Sequence, residues 1–256
     1  MTTTARTAAA KTAAPDRVPM NSLRKTALVA GVIYLITFVS IPTLSLYGPV
    51  RNDPNYILGP GPDTPILIGA VLEVIVALAC IGTAVVLYPV VKRQHEGVAL
   101  GFVGARVLEA AIIFAGVVSL LTVVTLRQSG AGADALATGQ ALVAFNNWTF
   151  LLGQSFLPVV NALLLGSLLY RSRLVPRIIP FVGLIGAPLL LTSDVGVLFG
   201  LWPQVSAVTA IGALPIAVWE FSLGVYLVVK GFKPSPITEG TTPADTPAAY
   251  RDDLPV

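Results

Sequence analysis

The chain has 256 residues, of which 55% are hydrophobic and only 11% are charged, and its mean hydropathy is +0.81. Soluble globular domains carry about 25% charged residues because their surfaces face water, so this composition excludes an ordinary soluble domain. The net charge of +3 is small, and the Lys and Arg residues form neither a basic helix nor a stripe interleaved with aromatic residues. We therefore expect no nucleic-acid partner.

Six apolar runs follow one another along the chain, each at least as long as the roughly 20 residues that cross a 30 Å hydrocarbon core. They predict transmembrane helices over residues 26–46, 66–91, 98–126, 142–170, 178–200 and 205–229. Residues 1–20, rich in Thr, Ala and Pro, predict a disordered arm, and residues 234–256 predict a disordered tail. The predicted fold is an all-α polytopic membrane bundle over residues 21–233, with the lipid bilayer as its first partner.

Basic residues collect at one end of the predicted bundle. Thirteen Lys and Arg residues lie in the N-terminal arm, the second and fourth connections and the tail, whereas Arg51 and Arg127 lie on the opposite side. Because loops rich in Lys and Arg stay on the cytoplasmic side, we predict a multi-pass protein of the cell membrane with both termini cytoplasmic.

Prolines mark the spans and the first outer connection. Five spans, all but the third, carry a proline within them or near an end: Pro42, Pro89, Pro158, Pro188 and Pro215. Proline removes a helical hydrogen bond, so each marks either a packing bend or a hinge. The connection over residues 47–65 contains five further prolines and three glycines, which predict turns rather than a helix.

The sequence contains few side chains that could hold a cofactor or a metal. The chain has one cysteine, Cys80, and one histidine, His95. These are too few for a disulfide, a zinc or iron–sulfur site, or a haem held by paired histidines. No nucleotide-binding loop and no nucleophile motif occurs. We therefore expect no cofactor and no metal, and we favour a non-enzymatic role over an intramembrane enzyme.

Five ionisable residues lie inside the predicted spans: Glu73, Arg106, Glu109, Asp194 and Glu220. A charged residue at the centre of a membrane helix costs about 2.5–3.5 kcal/mol on insertion scales. These side chains should therefore face the interior of the bundle, pair with one another or contact water.

The spacing of these residues predicts which of them meet. At about 1.5 Å per residue, Arg106 and Glu220 lie at one depth, so an ion pair between them is possible. Glu109 follows Arg106 by three residues on the same helix face. Glu73 lies at a level close to that of Glu109, and the polar set converges on the midplane and the outer half of the bundle.

The candidate proton- or ligand-binding residues are Glu73, Arg106, Glu109, Glu220, Asp194 and Gln154. Four carboxyls accompany one guanidinium, and a desolvated carboxyl without a cation partner favours its neutral form. Glu109 or Glu73 is therefore predicted to carry an exchangeable proton, while Arg106 orients an anionic group or holds a carboxylate ionised. The predicted partner is a small molecule or a proton.

Two interpretations of this polar group stay open. In the first, the group lines a pocket for small-solute or proton-linked transport or binding. In the second, the protein is structural or regulatory, and Arg106, Glu109 and Glu220 only clamp helices together. Asp194 lies near the outer end of its span, where it can simply be hydrated.

Three segments resemble a known family. They are the basic-flanked first span from Arg24-Lys25 to Ile36, the third-span segment Arg106-Val107-Leu108-Glu109-Ala110, and the segment from Pro215 through Glu220 to Phe232. Over residues 20–233 the chain resembles bacterial six-span membrane proteins grouped as a domain of unknown function, family 4386. The resemblance implies six helices and an intramembrane Arg-x-x-Glu, and it implies no particular activity.

Overall fold

The computed structural model describes residues 22–238, and all regular secondary structure within this range is helical. Six helices are long and apolar enough to cross a membrane: α1 (Ser22–Leu46), α2 (Thr64–Val91), α3 (Glu96–Gln128), α4 (Gly132–Ser172), α5 (Ile178–Leu198) and α6 (Ala207–Val229). The predicted all-α, six-helix architecture is thus confirmed. The predicted N-terminal arm and residues 239–256 of the predicted tail lie outside the described residues.

The six helices form a closed ring. Each helix packs mainly against its neighbours in sequence, and α6 packs against α1 to close the ring. Alternating helix directions follow from the short connections, and they bring both ends of the described chain to one end of the bundle. At that end, Arg24 near the start of α1 donates hydrogen bonds to the carbonyls of Leu227 and Val228 at the end of α6. This contact satisfies carbonyls that a helix end leaves free.

Close backbone contact joins α1 and α6 about two turns of α1 beyond Arg24. A Cβ atom built on Gly31 would lie 2.7 Å from the carbonyl oxygen of Gly224. Glycine on both helices therefore allows an approach that no larger residue permits. Beyond this crossing, the 3-10 turn Thr37–Ser40 and the last helical turn of α1 pack against α2. The second half of α1 thus diverges from α6 and packs against α2.

A π-helical segment, Phe150–Phe156, interrupts α4. Pro158 follows it and has no amide hydrogen, so the carbonyl of residue 154 cannot receive the usual helical hydrogen bond. π-Helical turns widen the helix by one residue and re-aim the side chains they carry. Here they carry Gln154 and Ser155.

Residues 47–63 form a cap over the end of the bundle opposite residues 22 and 238, the ends of the described chain. The prediction of turns alone was wrong for part of this segment, because Gly48–Asn52 is a short α-helix with Pro49 in its first turn. Proline is compatible with the first turn of a helix, where its missing amide would have no partner. The ring of Tyr47 anchors the cap on α2, since a Cβ atom on Gly69 would lie 2.5 Å from the tyrosine ring.

An ion pair fastens the cap to α3. Asp63 accepts hydrogen bonds from the guanidinium of Arg127, from Gln128 and from the hydroxyl of Tyr56. Burial by itself raises the pKa of Asp63, but these hydrogen bonds outweigh it and lower the pKa to about 2. The cap is thus held by a carboxylate that stays ionised in mild acid.

Asp63 should give the protein a pH-dependent stability at low pH only. Because its pKa is lowered on folding, its stabilising effect is complete above the ordinary pKa of 3.8 and is lost as the pH falls toward about 2. We expect Asp63→Asn to lower the unfolding temperature of the detergent-solubilised protein at neutral pH and to flatten its pH dependence between about 4 and 2. Asp53→Asn, on the same cap, is the matched control. An equal effect of both substitutions would contradict this assignment.

The chain beyond α6 crosses the opposite end of the bundle. The amide of Lys233 donates to the carbonyl of Leu174, and Ser235 Oγ donates to the carbonyl of Ser172. A 3-10 turn, Pro236–Thr238, follows, and Ser235 and Thr238 are buried. The first five residues of the predicted tail are therefore packed against the α4–α5 connection.

Candidate functional site

A cavity of about 200 Å³ lies at the centre of the helix ring. All six helices contribute to its wall, represented by Phe38, Cys80, Arg106, Ser155, Leu190 and Glu220. The volume is enough for several water molecules or a small solute. The wall is mainly apolar, so the few polar side chains in it determine what it can bind.

Arg106 lies at the centre of the polar part of the wall. Its Nη1 atom donates to Glu109 Oε2 at 2.9 Å, and its Nη2 atom lies 3.5 Å from Glu220 Oε1. Its guanidinium carbon lies 5.2 Å from the ring centroid of Tyr34 and 5.8 Å from that of Phe102. Two aromatic faces and two carboxylates thus compensate the charge of a side chain that is only 1% exposed.

Glu109 and Glu220 differ in how completely they are bonded. Glu109 Oε2 accepts a second hydrogen bond, of 2.7 Å, from Asn161 Nδ2 on α4. Glu220 Oε1 has no hydrogen-bond partner within residues 22–238, and neither have Arg106 Nε and Nη2. An unmet buried polar atom costs about 1–3 kcal/mol, so Glu220 is the less completely satisfied of the two carboxylates.

The charges in this group do not sum to zero. Arg106 contributes one positive charge, while ionised Glu109 and Glu220 contribute two negative charges. Because the group lies in a bundle long enough to cross a membrane, an uncompensated charge there is costly. One proton or one cation is needed to neutralise it, and the more weakly bonded Glu220 is the natural place for either.

Glu73 lies beside the cavity rather than in its wall. Its Oε1 atom accepts a 3.1 Å hydrogen bond from Gln154 Nε2, and Gln154 itself lines the cavity. Glu73 is only 2% exposed, and the Gln154 amide lies between its carboxylate and the cavity. Glu73 on α2 and Gln154 on α4, both predicted site residues, therefore contact each other but not the group around Arg106.

Asp194 is buried, although its place near the end of α5 had also been consistent with hydration. Its Oδ1 atom accepts a 2.5 Å hydrogen bond from Ser155 Oγ, and Ser155 lines the cavity. Its Oδ2 atom has no hydrogen-bond partner in the described part of the chain. The π-helical segment of α4 thus places Gln154 and Ser155 next to carboxylates on two different neighbouring helices.

Several polar residues of the site were not among the predicted candidates. Asn161, Ser155, Tyr34 and Cys80 all contact the charged residues or line the cavity. Their side chains are neutral and common in membrane helices, so composition gives no signal for them. Pro158 supplies the one available hint for Ser155, since a proline inside an apolar run often accompanies locally altered helix geometry.

A second cavity, of about 230 Å³, lies beneath the cap. Arg51, which sequence reasoning did not place in a site, lies at its edge and donates a 2.7 Å hydrogen bond to Asn146 Oδ1. Its guanidinium carbon also lies about 5 Å from the ring centroids of Tyr47 and Phe150. These contacts tie the cap to α4 through Asn146 and Phe150.

No group of three or more His, Cys, Asp or Glu side chains within residues 22–238 is arranged to hold a metal ion. The acidic residues around the central cavity are separated by Arg106, Gln154 and Ser155, each of which donates a hydrogen bond to one of them.

Comparison with known proteins identifies a family and little else. The chain matches none of the curated proteins and no solved structure. The family model described as a domain of unknown function (DUF4386) matches residues 29–231. This match runs from the first turns of α1 to the end of α6 and contains every charged residue of the central cavity. The chain belongs to the DUF4386 family.

Proposed function

We propose that this protein binds a small solute or a proton in the central cavity and exchanges it across the membrane. The observation that carries the proposal is the pairing of Arg106 with Glu220 in the cavity wall. Both side chains have polar atoms without a hydrogen-bond partner among the described residues, and both border a space large enough for a ligand. A purely structural clamp has no use for unmet polar atoms beside an open space.

In this proposal Glu220 carries the exchangeable proton, instead of Glu109 or Glu73. Glu109 Oε2 already accepts hydrogen bonds from Arg106 and Asn161. Glu220 has only an ion-pair contact of 3.5 Å. Protonation of Glu220 leaves Arg106 and Glu109 as a neutral pair, so the cavity alternates between neutral and singly negative states.

The alternative role, a helix clamp, has one observation in its favour. Glu109 accepts a 2.9 Å hydrogen bond from Arg106 on its own helix and a 2.7 Å hydrogen bond from Asn161, and the second bond joins α3 to α4. A clamp and a binding site predict different effects of Glu220, which adds an ion pair but no hydrogen bond. The experiment below separates them.

We also propose that the end of the bundle bearing Arg24 and the packed segment 231–238 faces the cytoplasm. Nine Lys and Arg residues of the described chain lie at that end, whereas Arg51 and Arg127 lie at the other. A fusion of alkaline phosphatase after residue 256 should be inactive in cells, whereas green fluorescent protein at the same position should be bright. The reverse result would invert the topology.

Proton exchange is best tested in proteoliposomes that contain a pH-sensitive dye. With an imposed potassium diffusion potential, we expect wild-type protein to admit protons and Glu220→Gln to reduce the initial rate at least tenfold. Glu96→Gln removes an exposed carboxylate at the start of α3 and is the matched control. Folding of each variant is checked by its thermal unfolding in detergent.

Two outcomes would contradict the proposal. One is a proton permeability equal to that of empty liposomes together with no stabilisation of the protein by any small solute over a wide pH range. The other is equal permeability of wild type and a well-folded Glu220→Gln variant. Either result would favour the clamp.

A further inference from the structure

We infer that the central cavity opens sideways into the bilayer between α1 and α6, and that it accepts a hydrophobic amine from the lipid phase. This inference rests on the proposed binding function of the cavity and specifies its route of entry and its class of ligand. Three independent features carry it: the divergence of two helices, the distribution of exposure around the cavity and the balance of charge in its wall.

The two helices form a V whose apex is the Gly31–Gly224 contact. Below the apex, Arg24 ties the start of α1 to the end of α6. Above it, Thr37–Ser40 winds as a 3-10 helix and packs against α2. Pro215 lies inside the facing part of α6, and a Cβ atom on Gly186 of α5 would lie 2.9 Å from its ring. Thus α1 packs against α2 and α6 packs against α5, and the space between α1 and α6 widens.

Exposure of the cavity lining is greatest at this gap, while Gln154 and Ser155 on α4 are partly exposed. Residues that line the cavity from α2, α3 and α5 are buried, with Cys80 and Arg106 each 1% exposed and Leu190 3% exposed. The lining residues at the gap are Phe38, Ile41, Ala213 and Ala217, which we call the mouth; Ile41 is 59% exposed and the other three are partly exposed.

The surface around the mouth is apolar. Leu44 on α1 and Leu214, Val218 and Phe221 on α6 are each between 44% and 60% exposed. Side chains of this kind on a membrane helix face lipid, so the mouth opens toward acyl chains rather than toward water. Phe38 and Phe221 meet edge to face across the gap, with ring centroids 5.5 Å apart, and form its lower rim.

The wall behind the mouth offers acceptors and a net negative charge. Glu220 Oε1 lacks a hydrogen-bond partner among the described residues, and Arg106 is already paired with Glu109. The hydroxyls of Thr37 and Ser40 donate to backbone carbonyls of α1, so their oxygens remain free to accept. An alkylammonium group supplies a second positive charge, which balances the second carboxylate, and three donors for these acceptors, and its chain fits the apolar mouth.

The test uses full-length protein in phosphatidylcholine nanodiscs and measures its unfolding temperature with octylamine, octanol or octanoate. We expect a concentration-dependent rise with octylamine alone, and we expect Glu220→Gln to abolish the rise while Glu96→Gln keeps it. The aqueous concentration that gives half the effect should fall about fourfold per methylene from butylamine to octylamine. An equal rise with octanol or octanoate, or no dependence on chain length, would overturn the inference.

The mouth itself is tested by a pair of adjacent substitutions. Ala217 lines the cavity and Val218 faces outward. We expect Ala217→Trp to remove the effect of octylamine and Val218→Trp to leave it unchanged; Ala213→Phe serves if Ala217→Trp does not fold. A full octylamine effect in a folded mouth variant would overturn the inference. If Glu220-dependent proton exchange persists while octylamine has no effect, the lateral route and the ligand class fail and the proposed function stands.

Discussion

Replacing Arg106 with glutamine will destabilise this protein by about 3–5 kcal/mol, because it removes the only positive charge within residues 22–238 that faces Glu109 and Glu220. Both carboxylates would then be left in the buried interior with a neutral partner. The stacking of the guanidinium on Tyr34 and Phe102 would be lost as well. Thermal unfolding in a mild detergent, followed by circular dichroism, measures the change.

The loss of stability caused by Arg106→Gln should depend on pH and on the carboxylates that pair with Arg106. Acid neutralises the two glutamates, so the variant should approach the wild type in stability as the pH falls. The double variant Arg106→Gln, Glu109→Gln should be more stable than Arg106→Gln alone at neutral pH. A loss of the same size at every pH, with no recovery in the double variant, would show that Arg106 acts through packing rather than charge.

Replacing Gly31 with alanine will also be strongly destabilising, although alanine is normally the better helix residue. The added Cβ atom would lie 2.7 Å from the carbonyl oxygen of Gly224 and 2.8 Å from the amide nitrogen of Val228. Both are backbone atoms and cannot rotate away, so α1 and α6 must separate. Overpacking of this kind costs about 1–3 kcal/mol, and the separation would also loosen the apex of the V.

Gly104 provides the matched control for Gly31. It lies exposed on α3, and a Cβ atom there meets no other atom within 4 Å. Gly104→Ala should therefore be neutral or stabilise the protein by about 0.5–1 kcal/mol, as expected in a helix interior. Equal unfolding temperatures for Gly31→Ala and Gly104→Ala would mean that the α1–α6 contact is looser than the structure has it.

The helices were predictable because the bilayer imposes a length and an apolar composition on anything that crosses it. The prediction was least complete for α4, which was expected over residues 142–170 and instead spans Gly132–Ser172. Its first turns contain Thr138, Gly139 and Gln140, whose low hydropathy hides a helix that continues under the cap. The short helix Gly48–Asn52 was missed because proline usually breaks a helix, whereas Pro49 lies in the first turn, where proline is compatible with one.

The site was predictable only as far as charge reveals it. Arg106, Glu109 and Glu220 stand out because lipid forbids isolated charges, and helical rise alone placed Arg106 and Glu220 at one depth. The partners of Glu73 and Asp194 depend on the π-helical segment, which shifts the register of α4 by one residue. That shift is a tertiary effect of packing and of Pro158, and residue spacing alone does not contain it.

The same segment links two distant parts of the molecule. A return of Phe150–Phe156 to α-helical geometry would turn the preceding part of α4 by about 100° relative to the following part. Asn146 would then swing away from Arg51 and break this contact between the cap and α4, while Gln154 and Ser155 would leave Glu73 and Asp194. The contact of the cap with α4 and the hydrogen bonds to the carboxylates beside the cavity thus depend on the same helical register, so a change of register alters both.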